Sequence, residues 1–497
     1  MSRRRIGKPS QAPTNGFVGS GSLASTVAMK MFAAAAALAL LSSTAIAQTA
    51  APPPPAPSAR TAELRDDVLH NDTLAWDLVE GLTTEIGPRL AGSEAEARAR
   101  EWAVARLRGL GFSNVRVETF DVPYWVRGIE RAEIVSPYPQ PLVLTALGNS
   151  GATPANGLEA EVIGYDSMEA FQAAPADEVR NKIVFVSHAM QATQDGSHYG
   201  PFGAARRAGP TLASRRGAAA ILVRSIGTDY HRNPHTGVQS FAEGVRPIPA
   251  AALSLPDAEQ LQRVLTRAAA LRQPVRLRLT MTPRQLGNRQ SGNVIAEVPG
   301  SDPSAGTVVV GGHLDSWDLG TGAFDNAAGV AITTAAAHRI MRSGQPRRTI
   351  RVILFGSEEI GVFGGADYFR RHQAEREVVL VGESDFGADR VWRVNFKMAP
   401  GNEALQRRVA AALAPLGIAS GREPANAGAD LGAWANAGTA AIDLSQDGTR
   451  YFDYHHTPDD TLDKVDPAQL RQNVAAWTAM LSEVANAPER IEPVAAR

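Results

Sequence analysis

Cysteine is absent from the 497 residues of this chain. Its absence excludes disulfide bonds, thiol nucleophiles and metal sites with sulfur ligands. Any bound metal must therefore be held by His, Asp and Glu side chains. An excess of either charge is also missing, since 50 Lys and Arg residues face 51 Asp and Glu residues. Because the two charges balance and leave no net positive field, we expect no nucleic-acid partner.

A hydrophobic run long enough to cross a membrane is lacking as well. The most apolar stretch, Phe32 to Leu41, is too short to span a bilayer. It follows Lys30 and leads into small residues that end at Ala47, which is the pattern of a cleavable secretion signal. We expect residues 1–47 to be this signal, with Met29 as a second candidate for the start. The mature protein is then secreted or periplasmic, with no stable membrane span.

The export route stays open between the general and the twin-arginine pathways. Ser2 to Lys8 weakly resembles a twin-arginine signal, although it lies far from the apolar run. Residues 48–61 include four consecutive prolines, Pro52 to Pro55, and predict an extended linker.

The chain is longer than one hydrophobic core usually allows, so we expect two lobes or a large domain with an insertion. Residues 130–279 contain short β-branched runs, such as 182–186 and 219–223, separated by Gly and Pro. We predict that residues 62–129 and 280–490 form the main domain, and that 130–279 form an inserted β-rich domain.

Apolar runs and helical patterns alternate in the last two hundred residues. Four runs predict strands at Thr307–Gly311, Thr349–Phe355, Val378–Gly382 and Ala440–Leu444. Helical patterns at 326–341 and 364–372 lie between them. This alternation predicts an α/β fold with a mostly parallel central sheet covered on both faces. In such sheets, ligand sites lie just beyond the carboxyl ends of the strands.

Acidic and histidine side chains follow these strands. The strands lead, in order, to His313 and Asp315, to Glu358 and Glu359, to Asp385 and, after a loop, to His455 and His456. A glycine-rich segment at 320–324 precedes Asp325 at the start of the next helix. Because parallel strands end at one edge of the sheet, these side chains are expected to converge there.

The donor set suits two zinc ions. A catalytic zinc takes three nitrogen or oxygen ligands and keeps one position for water. Two metals ~3.5–4 Å apart can share a carboxylate and a hydroxide that attacks a carbonyl. Five ligands satisfy both ions when one of them bridges: His313, Asp325, Glu359, Asp385 and His456. Glu358 remains as the general base, and Asp315 is placed to accept the free ring N–H of His313. Cobalt or manganese would fit the same donors.

The motifs, taken in order, resemble a known family. The similar segments are Gly311–Asp318, Phe324–Gly329, Ser357–Glu359, Glu383–Asp385 and His455–Thr461. They resemble the co-catalytic di-zinc exopeptidases, also called aminopeptidase-like metallopeptidases, and within them the carboxypeptidase Q-like members. Further similarity at Val122–Gly128, Arg224–Ser225 and Pro234–Gly237 extends the resemblance over roughly residues 62–490.

The resemblance implies a fold, a cofactor and roles for individual residues. The implied fold is a three-layer α/β/α zinc-exopeptidase sandwich with an inserted protease-associated-like domain, and the implied cofactor is two Zn²⁺ per chain. His313 and Asp385 would hold one zinc, and Glu359 and His456 the other. Asp325 would bridge them and precede a cis peptide bond, and Glu358 rather than Glu359 would be the base. A peptide substrate and a homodimer are also implied.

The substrate contacts and the reaction type stay open. Arg224, His231, His235 and Trp317 are candidate substrate-binding residues; surface loop positions for the first three and a core position for Trp317 are equally expected. The predicted activity is zinc-dependent hydrolysis of dipeptides or short peptides by a carboxypeptidase or dipeptidase, with aminopeptidase activity as the nearest rival. The same fold would also suit a catalytically silent binding protein, or a one-zinc enzyme that transfers acyl groups or cyclises its substrate.

Overall fold

The computed structural model describes residues 57–494. The predicted secretion signal at 1–47 and most of the predicted linker at 48–61 lie outside the described residues. In the part of the chain that is described, no helix combines the length and the apolar character needed to cross a membrane.

The strands of the described region build two large sheets. In chain order they are β1 Ser113–Val126, β2 Glu130–Ser136, β3 Gln140–Leu142, β4 Leu144–Ala146, β5 Leu158–Tyr165, β6 Ile183–Val186, β7 Ala220–Arg224, β8 Ala250–Leu253, β9 Arg276–Met281, β10 Arg284–Val298, β11 Thr307–His313, β12 Thr349–Phe355, β13 Val378–Glu383, β14 Val391–Lys397, β15 Ala419–Ser420 and β16 Ala440–Gln446. The four strands predicted after residue 291 are confirmed as β11, β12, β13 and β16.

The helices connect and cover these strands. They are α1 Ala59–Asn71, α2 Leu74–Gly81, α3 Glu94–Gly109, α4 Met168–Ala173, α5 Tyr199–Phe202, α6 Ala204–Arg207, α7 Gly209–Arg215, α8 Leu255–Ala270, α9 Ala328–Ser343, α10 Phe363–His372, α11 Glu403–Leu413, α12 Gly428–Asn436, α13 Tyr451–Tyr454 and α14 Pro467–Asn486. The predicted helices at 326–341 and 364–372 correspond to α9 and α10.

The first sheet contains the four strands predicted after residue 291. Its order is β1-β10-β12-β11-β13-β16-β14-β15. The strands β12, β11, β13 and β16 are parallel, and β10 and β14 flank them in antiparallel orientation. The carboxyl ends of the four parallel strands therefore lie side by side at one edge.

Apolar side chains cover both faces of this sheet. Val308 and Val310 of β11 belong to a buried cluster that includes residues of α9 and α14. Val309, which points to the opposite face, packs in a cluster with Tyr368 of α10 and Leu431 of α12. Helices on both faces explain why the parallel strands are mainly apolar in the sequence. The predicted α/β class is confirmed.

The second sheet is built from residues 130–281. Its order is β3-β2-β9-β5-β6-β7-β8-β4, and β5 to β8 are parallel. Parallel neighbours need crossover connections, and helices α4 to α7 lie in those connections. Two apolar clusters pack on its faces, one with α8 and the other with α4 and α7. This segment is therefore mixed α/β in composition, whereas the sequence pattern predicted a β-rich one.

Candidate metal centre

The predicted metal ligands meet at the carboxyl edge of the first sheet. His313 is the last residue of β11, and Asp385 follows β13 by two residues. Glu359 follows β12, and His456 follows the short helix α13 after β16. These strands are neighbours in the order β12, β11, β13, β16, so four distant stretches of the sequence reach one place.

His313, Asp325 and Asp385 form the first group of ligand atoms. The Nε2 atom of His313 lies 3.1 Å from Oδ1 of Asp325 and 3.2 Å from Oδ1 of Asp385. His313 and Asp325 are buried. Burial alone would lower the pKa of His313, but the nearby carboxylates, Asp385 first, raise this pKa well above its ordinary value. The group therefore concentrates negative charge around one imidazole.

Asp325, Glu359 and His456 form the second group. The Nε2 atom of His456 lies 3.1 Å from Oδ2 of Asp325 and 2.6 Å from Oε2 of Glu359. Asp325 thus presents one carboxylate oxygen to each group. One carboxylate therefore belongs to both groups of ligand atoms.

The buried oxygens of these groups fit bound cations. Apart from the histidine rings of the site, Oδ2 of Asp325 and both carboxylate oxygens of Glu359 have no hydrogen-bond partner among residues 57–494. Leaving carboxylate oxygens buried without a partner is costly, and a metal ion removes this cost. Three carboxylates with two imidazoles are donors that zinc accepts in a tetrahedral or open coordination. The donor set and its arrangement therefore fit a pair of divalent cations.

The backbone around Asp325 is held in an unusual conformation. The Asp325–Asn326 peptide bond is cis, as the resemblance implied. The carboxylate of Asp460 accepts the backbone N–H groups of Phe324, at 2.7 Å, and of Asp325, at 3.1 Å. On the other side, the amide of Asn326 donates to the carbonyl oxygen of Ser384 at 2.8 Å. These bonds fix where the Asp325 carboxylate points.

Asp315 supports the site differently from the sequence-based expectation. The Nδ1 atom of His313 lies 3.0 Å from the main-chain oxygen of Asp315, whereas the Asp315 carboxylate is 3.6 Å away. That carboxylate instead accepts the backbone N–H groups of Glu358, at 3.1 Å, and Glu359, at 3.2 Å. The two acids sit on a turn outside a regular strand, where free N–H groups need an acceptor. Through these hydrogen bonds, Asp315 connects the segment after β11 to the segment after β12.

Glu358 belongs to neither group of ligand atoms. Its side chain lines the cavity beside them, while its neighbour Glu359 turns towards His456. Ser357, just before them, has a φ of 64°, a left-handed conformation that is uncommon for a residue other than glycine and that redirects the chain. Burial raises the pKa of Glu358 well above its ordinary value.

His455, which is not one of the five predicted ligands, also lies beside Asp325. Its Nε2 atom is 3.2 Å from Oδ2 of Asp325, and its ring stacks on that of His456 at 3.7 Å. Burial lowers the pKa of His455 to about 3, with help from the charge of His456. Its adjacency to His456 was the only sequence signal, and adjacent side chains usually diverge.

A cavity of about 290 Å³ opens onto the candidate centre. It is lined by Asp325, Glu358, Glu359, Asp385, His455 and His456, together with Tyr199, Arg206, Val238, Gly361, Val362, Phe386, Tyr451 and Phe452. Tyr199, Arg206 and Val238 come from the segment that carries the second sheet. No sequence motif pointed to these three residues, because they become part of the site only through tertiary contact.

The four predicted substrate-binding residues, Arg224, His231, His235 and Trp317, do not line this cavity. Arg224 pairs with Glu259 at 3.0 Å, and Nε2 of His231 lies 3.0 Å from the main-chain oxygen of Asp453. Neither residue lines the cavity.

Trp317 and His235 support the ligand histidines instead. Trp317 is buried, and its indole stacks on His456 and donates to the hydroxyl of Thr236 at 2.6 Å. His235 is also buried and stacks on His456, with Nδ1 2.8 Å from the main-chain oxygen of His455. The structure therefore places both residues in contact with the centre but behind the cavity wall.

Comparisons with known proteins place the chain in a family. Residues 293–481 match the model of peptidase family M28. Carboxypeptidase Q of Bos taurus is 31% identical over 454 residues, which cover 88% of this chain and 94% of that protein.

Solved structures support the same family assignment. The crystal structure of a peptidase M28 precursor from Shewanella amazonensis SB2B is 42% identical, with a TM-score of 0.84, covering 88% of this chain and 98% of that one. A zinc aminopeptidase from Bacillus subtilis, 21% identical with a TM-score of 0.58, shares the fold over 85% of this chain and 97% of its own. The chain therefore belongs to peptidase family M28, and it is a hydrolase of the metallo-exopeptidase class.

Proposed function

We propose that this protein is a di-zinc exopeptidase that hydrolyses dipeptides or short peptides, as a carboxypeptidase or dipeptidase. The observation that carries the proposal is the position of Asp325, whose two oxygens lie in separate ligand groups with His313 and His456. His313 and Asp385 would hold one zinc, Glu359 and His456 the other, and Asp325 both.

The residues around the cavity have different roles in the proposed hydrolysis. Two bound zinc ions would polarise the scissile carbonyl and lower the pKa of water at the site. Glu358 lies in the cavity outside both ligand groups, where it accepts a proton from the attacking water and then donates it to the leaving amine. The Asp315 carboxylate fixes the positions of Glu358 and Glu359 because it accepts their backbone N–H groups. Tyr451, Phe452 and Phe386 give the cavity an apolar wall that limits water.

The carboxypeptidase or dipeptidase assignment rests on sequence similarity to carboxypeptidase Q, and an aminopeptidase activity is the alternative. Carboxypeptidase Q matches this chain over most of its length. An aminopeptidase of Bacillus subtilis is 25% identical over 61% of its own length, so an aminopeptidase activity is the second candidate. A dipeptide with a blocked carboxyl group distinguishes the two, because an aminopeptidase tolerates the block, whereas a carboxypeptidase or a dipeptidase needs that carboxyl group free.

The test combines metal analysis with a dipeptide panel. Protein purified without added metal is analysed for zinc, cobalt and manganese, and then assayed on free, amine-blocked and carboxyl-blocked dipeptides. We expect two zinc ions per chain and hydrolysis that is lost when the carboxyl group of the dipeptide is blocked; a carboxypeptidase would also tolerate a blocked amine, and a dipeptidase would not. Two bound zinc ions without hydrolysis would favour a binding protein, and one metal per chain would favour an acyl-transfer enzyme.

The finer points of architecture and location are part of the same proposal. We propose a three-layer α/β/α peptidase domain from residues 62–129 and 280–490, with 130–279 as a protease-associated-like insertion. The helices on both faces of the first sheet and the separate second sheet support this division. Export through the signal at 1–47 and assembly as a homodimer complete the proposal; cleavage at Ala47 is tested by sequencing the mature amino terminus.

A further inference from the structure

A buried arginine joins the two segments that present the first group of ligand atoms. Arg89 lies in the loop before α3 and has no exposed surface. Its Nε atom donates to the main-chain oxygen of Leu314, and its Nη1 atom donates to that of Thr321. Nη2 donates to the main-chain oxygen of Gly322 at 3.0 Å, and Nη1 lies 3.3 Å from that of Gly87. One guanidinium therefore holds main-chain oxygens from two separate segments besides one in its own loop.

The main-chain oxygens held by Arg89 lie beside two predicted ligands. Leu314 directly follows His313 at the end of β11, and Gly322 lies three residues before Asp325. The side chains of His313 and Asp325 face each other, with 3.1 Å between Nε2 and Oδ1. Because Arg89 binds the main chain next to both ligands, it is placed to set the separation between their side chains.

The backbone of Arg89 is fixed by one of the same segments. Its N–H donates to the hydroxyl of Ser316 at 3.1 Å, and its carbonyl oxygen accepts the N–H of Ser316 at 3.4 Å. Gly322 packs against Ser316 so closely that a Cβ atom at Gly322 would lie 2.4 Å from the Cβ of Ser316. The guanidinium is thus held at the base of its side chain as well as at its end, and the loop it binds has no room to shift.

An ion pair does not account for this arginine. The four acceptors of its guanidinium within residues 57–494 are all main-chain oxygens. Burial lowers the pKa of Arg89 to about 10, although the charges of Asp460 and Asp315 oppose this effect, so the side chain stays positively charged at neutral pH. A buried charge adds little net stability to a fold, because its desolvation cost offsets its interactions. Its planar fork of N–H donors, however, fixes several acceptors at defined positions.

We propose that Arg89 is a positioning residue for the metal centre: it holds the main chain beside His313 and Asp325, fixes the separation of these two ligands and so raises the affinity of the first ligand group for its cation. Ligand atoms must lie within about 0.2 Å of their required distance from a metal, so a small change in this separation weakens binding. The inference rests on the proposed function, since it requires a cation between these side chains, but it concerns binding and does not depend on turnover.

The test measures zinc affinity by competition with a chelator of known affinity. Arg89→Met keeps roughly the length of the side chain but removes its donors. We expect its zinc affinity to fall about 10- to 100-fold, the usual effect of losing a group that orients metal ligands. Arg89→Lys keeps the charge, but a single ammonium group cannot replace a fork that spans two segments. Its affinity should lie between that of the parent and that of Arg89→Met.

Arg348→Met is the matched control for the loss of a buried arginine. Arg348 also has no exposed surface, and its guanidinium donates to four main-chain oxygens, among them those of Ala305 and Val484. Ala305 precedes β11, so these contacts lie at the amino end of the parallel strands, opposite to the ligands. Thermal unfolding of the zinc-free proteins should show reduced stability in both methionine variants, whereas only Arg89→Met should lose zinc affinity.

The outcomes separate the positioning role from the proposed activity. Zinc affinity equal to that of the parent in Arg89→Met, or in Arg89→Lys if Arg89→Met does not fold, would overturn the positioning role. An equal loss of affinity in Arg348→Met would also overturn it, because the loss would then follow from removing any buried arginine. If the parent binds zinc and hydrolyses no dipeptide, but Arg89→Met alone loses zinc affinity, the hydrolase proposal fails and the positioning role of Arg89 stands.

Discussion

Asp460 accepts the backbone N–H of Asp325 at 3.1 Å, although 135 residues separate the two in the sequence. Its other oxygen accepts the N–H of Phe324, and burial raises the pKa of Asp460 to about 7. Asp460 thus holds the loop that presents the bridging carboxylate, without itself belonging to either ligand group. Partners of this kind orient metal ligands and influence metal affinity.

Replacing Asp460 should therefore weaken zinc binding, although Asp460 is not one of the predicted ligands. In Asp460→Asn, one of the two N–H groups would face an amide N–H instead of an acceptor. We expect zinc affinity to fall about 10- to 100-fold, measured by competition with a chelator of known affinity. Asp459→Asn is the control, because the partly exposed Asp459 side chain bonds to Asn233 and not to the loop of Asp325. Equal loss in both variants would contradict a positioning role for Asp460.

Removing the shared carboxylate should empty both metal positions. Asp325→Ala leaves each group with two protein ligands, whereas a catalytic zinc is usually held by three. We expect elemental analysis to fall from two zinc ions to well below one per chain. Glu359→Ala should behave differently, because the group of His313 and Asp385 keeps its three ligands and about one metal. Two bound ions in Asp325→Ala would refute the bridging role.

Glu358→Gln should remove turnover while keeping the metals. Glutamine is nearly the same size as glutamate but cannot accept a proton from water. We expect kcat to fall roughly 10²- to 10⁴-fold, the usual contribution of a general base, with unchanged zinc content. Glu377→Gln, which changes an exposed carboxylate after α10, serves as the control and should match the parent. Near-normal turnover by Glu358→Gln would assign the proton transfer to another group.

Local sequence pattern predicted the ligand-bearing part of the fold well. The four parallel strands are mainly apolar in sequence, and acidic or histidine residues follow at or after their ends. His313, Glu359 and Asp385 could therefore be placed at strand ends before any geometry was known. Because parallel strands align their carboxyl ends, convergence followed from topology alone.

Contacts between distant segments could not be predicted in this way. Arg206 and His235 reach His456 only because the segment of the second sheet packs against the loop after α13. The partners of Asp315 were missed for a related reason. A carboxylate next to a histidine suggested a bond between the two side chains, but free backbone N–H groups at the end of β12 compete for the same oxygens.

A last prediction concerns stability away from the centre. His338, on α9, is partly buried and tilts against Phe112 at 6.3 Å between ring centres. Burial lowers its pKa from the ordinary value of 6.5, and the charges of Arg342 and Arg339 lower it further. The unfolded chain therefore binds a proton at this residue at a higher pH than the folded protein does. Stability that is present above pH 6.5 should be lost as the pH falls towards the lowered pKa.

The matched variant is His338→Gln, which cannot titrate. Denaturant unfolding of both proteins at about pH 8 and about pH 5.5 gives the stability difference on either side of the ordinary histidine pKa. We expect the advantage of the parent over His338→Gln to be smaller at the acidic pH, because only the parent must keep a buried imidazole neutral. Arg342→Gln in the parent removes one of the two charges that disfavour protonation and should reduce the pH dependence. An advantage that stays constant or grows on acidification would show that the His338 pKa is not lowered by its surroundings.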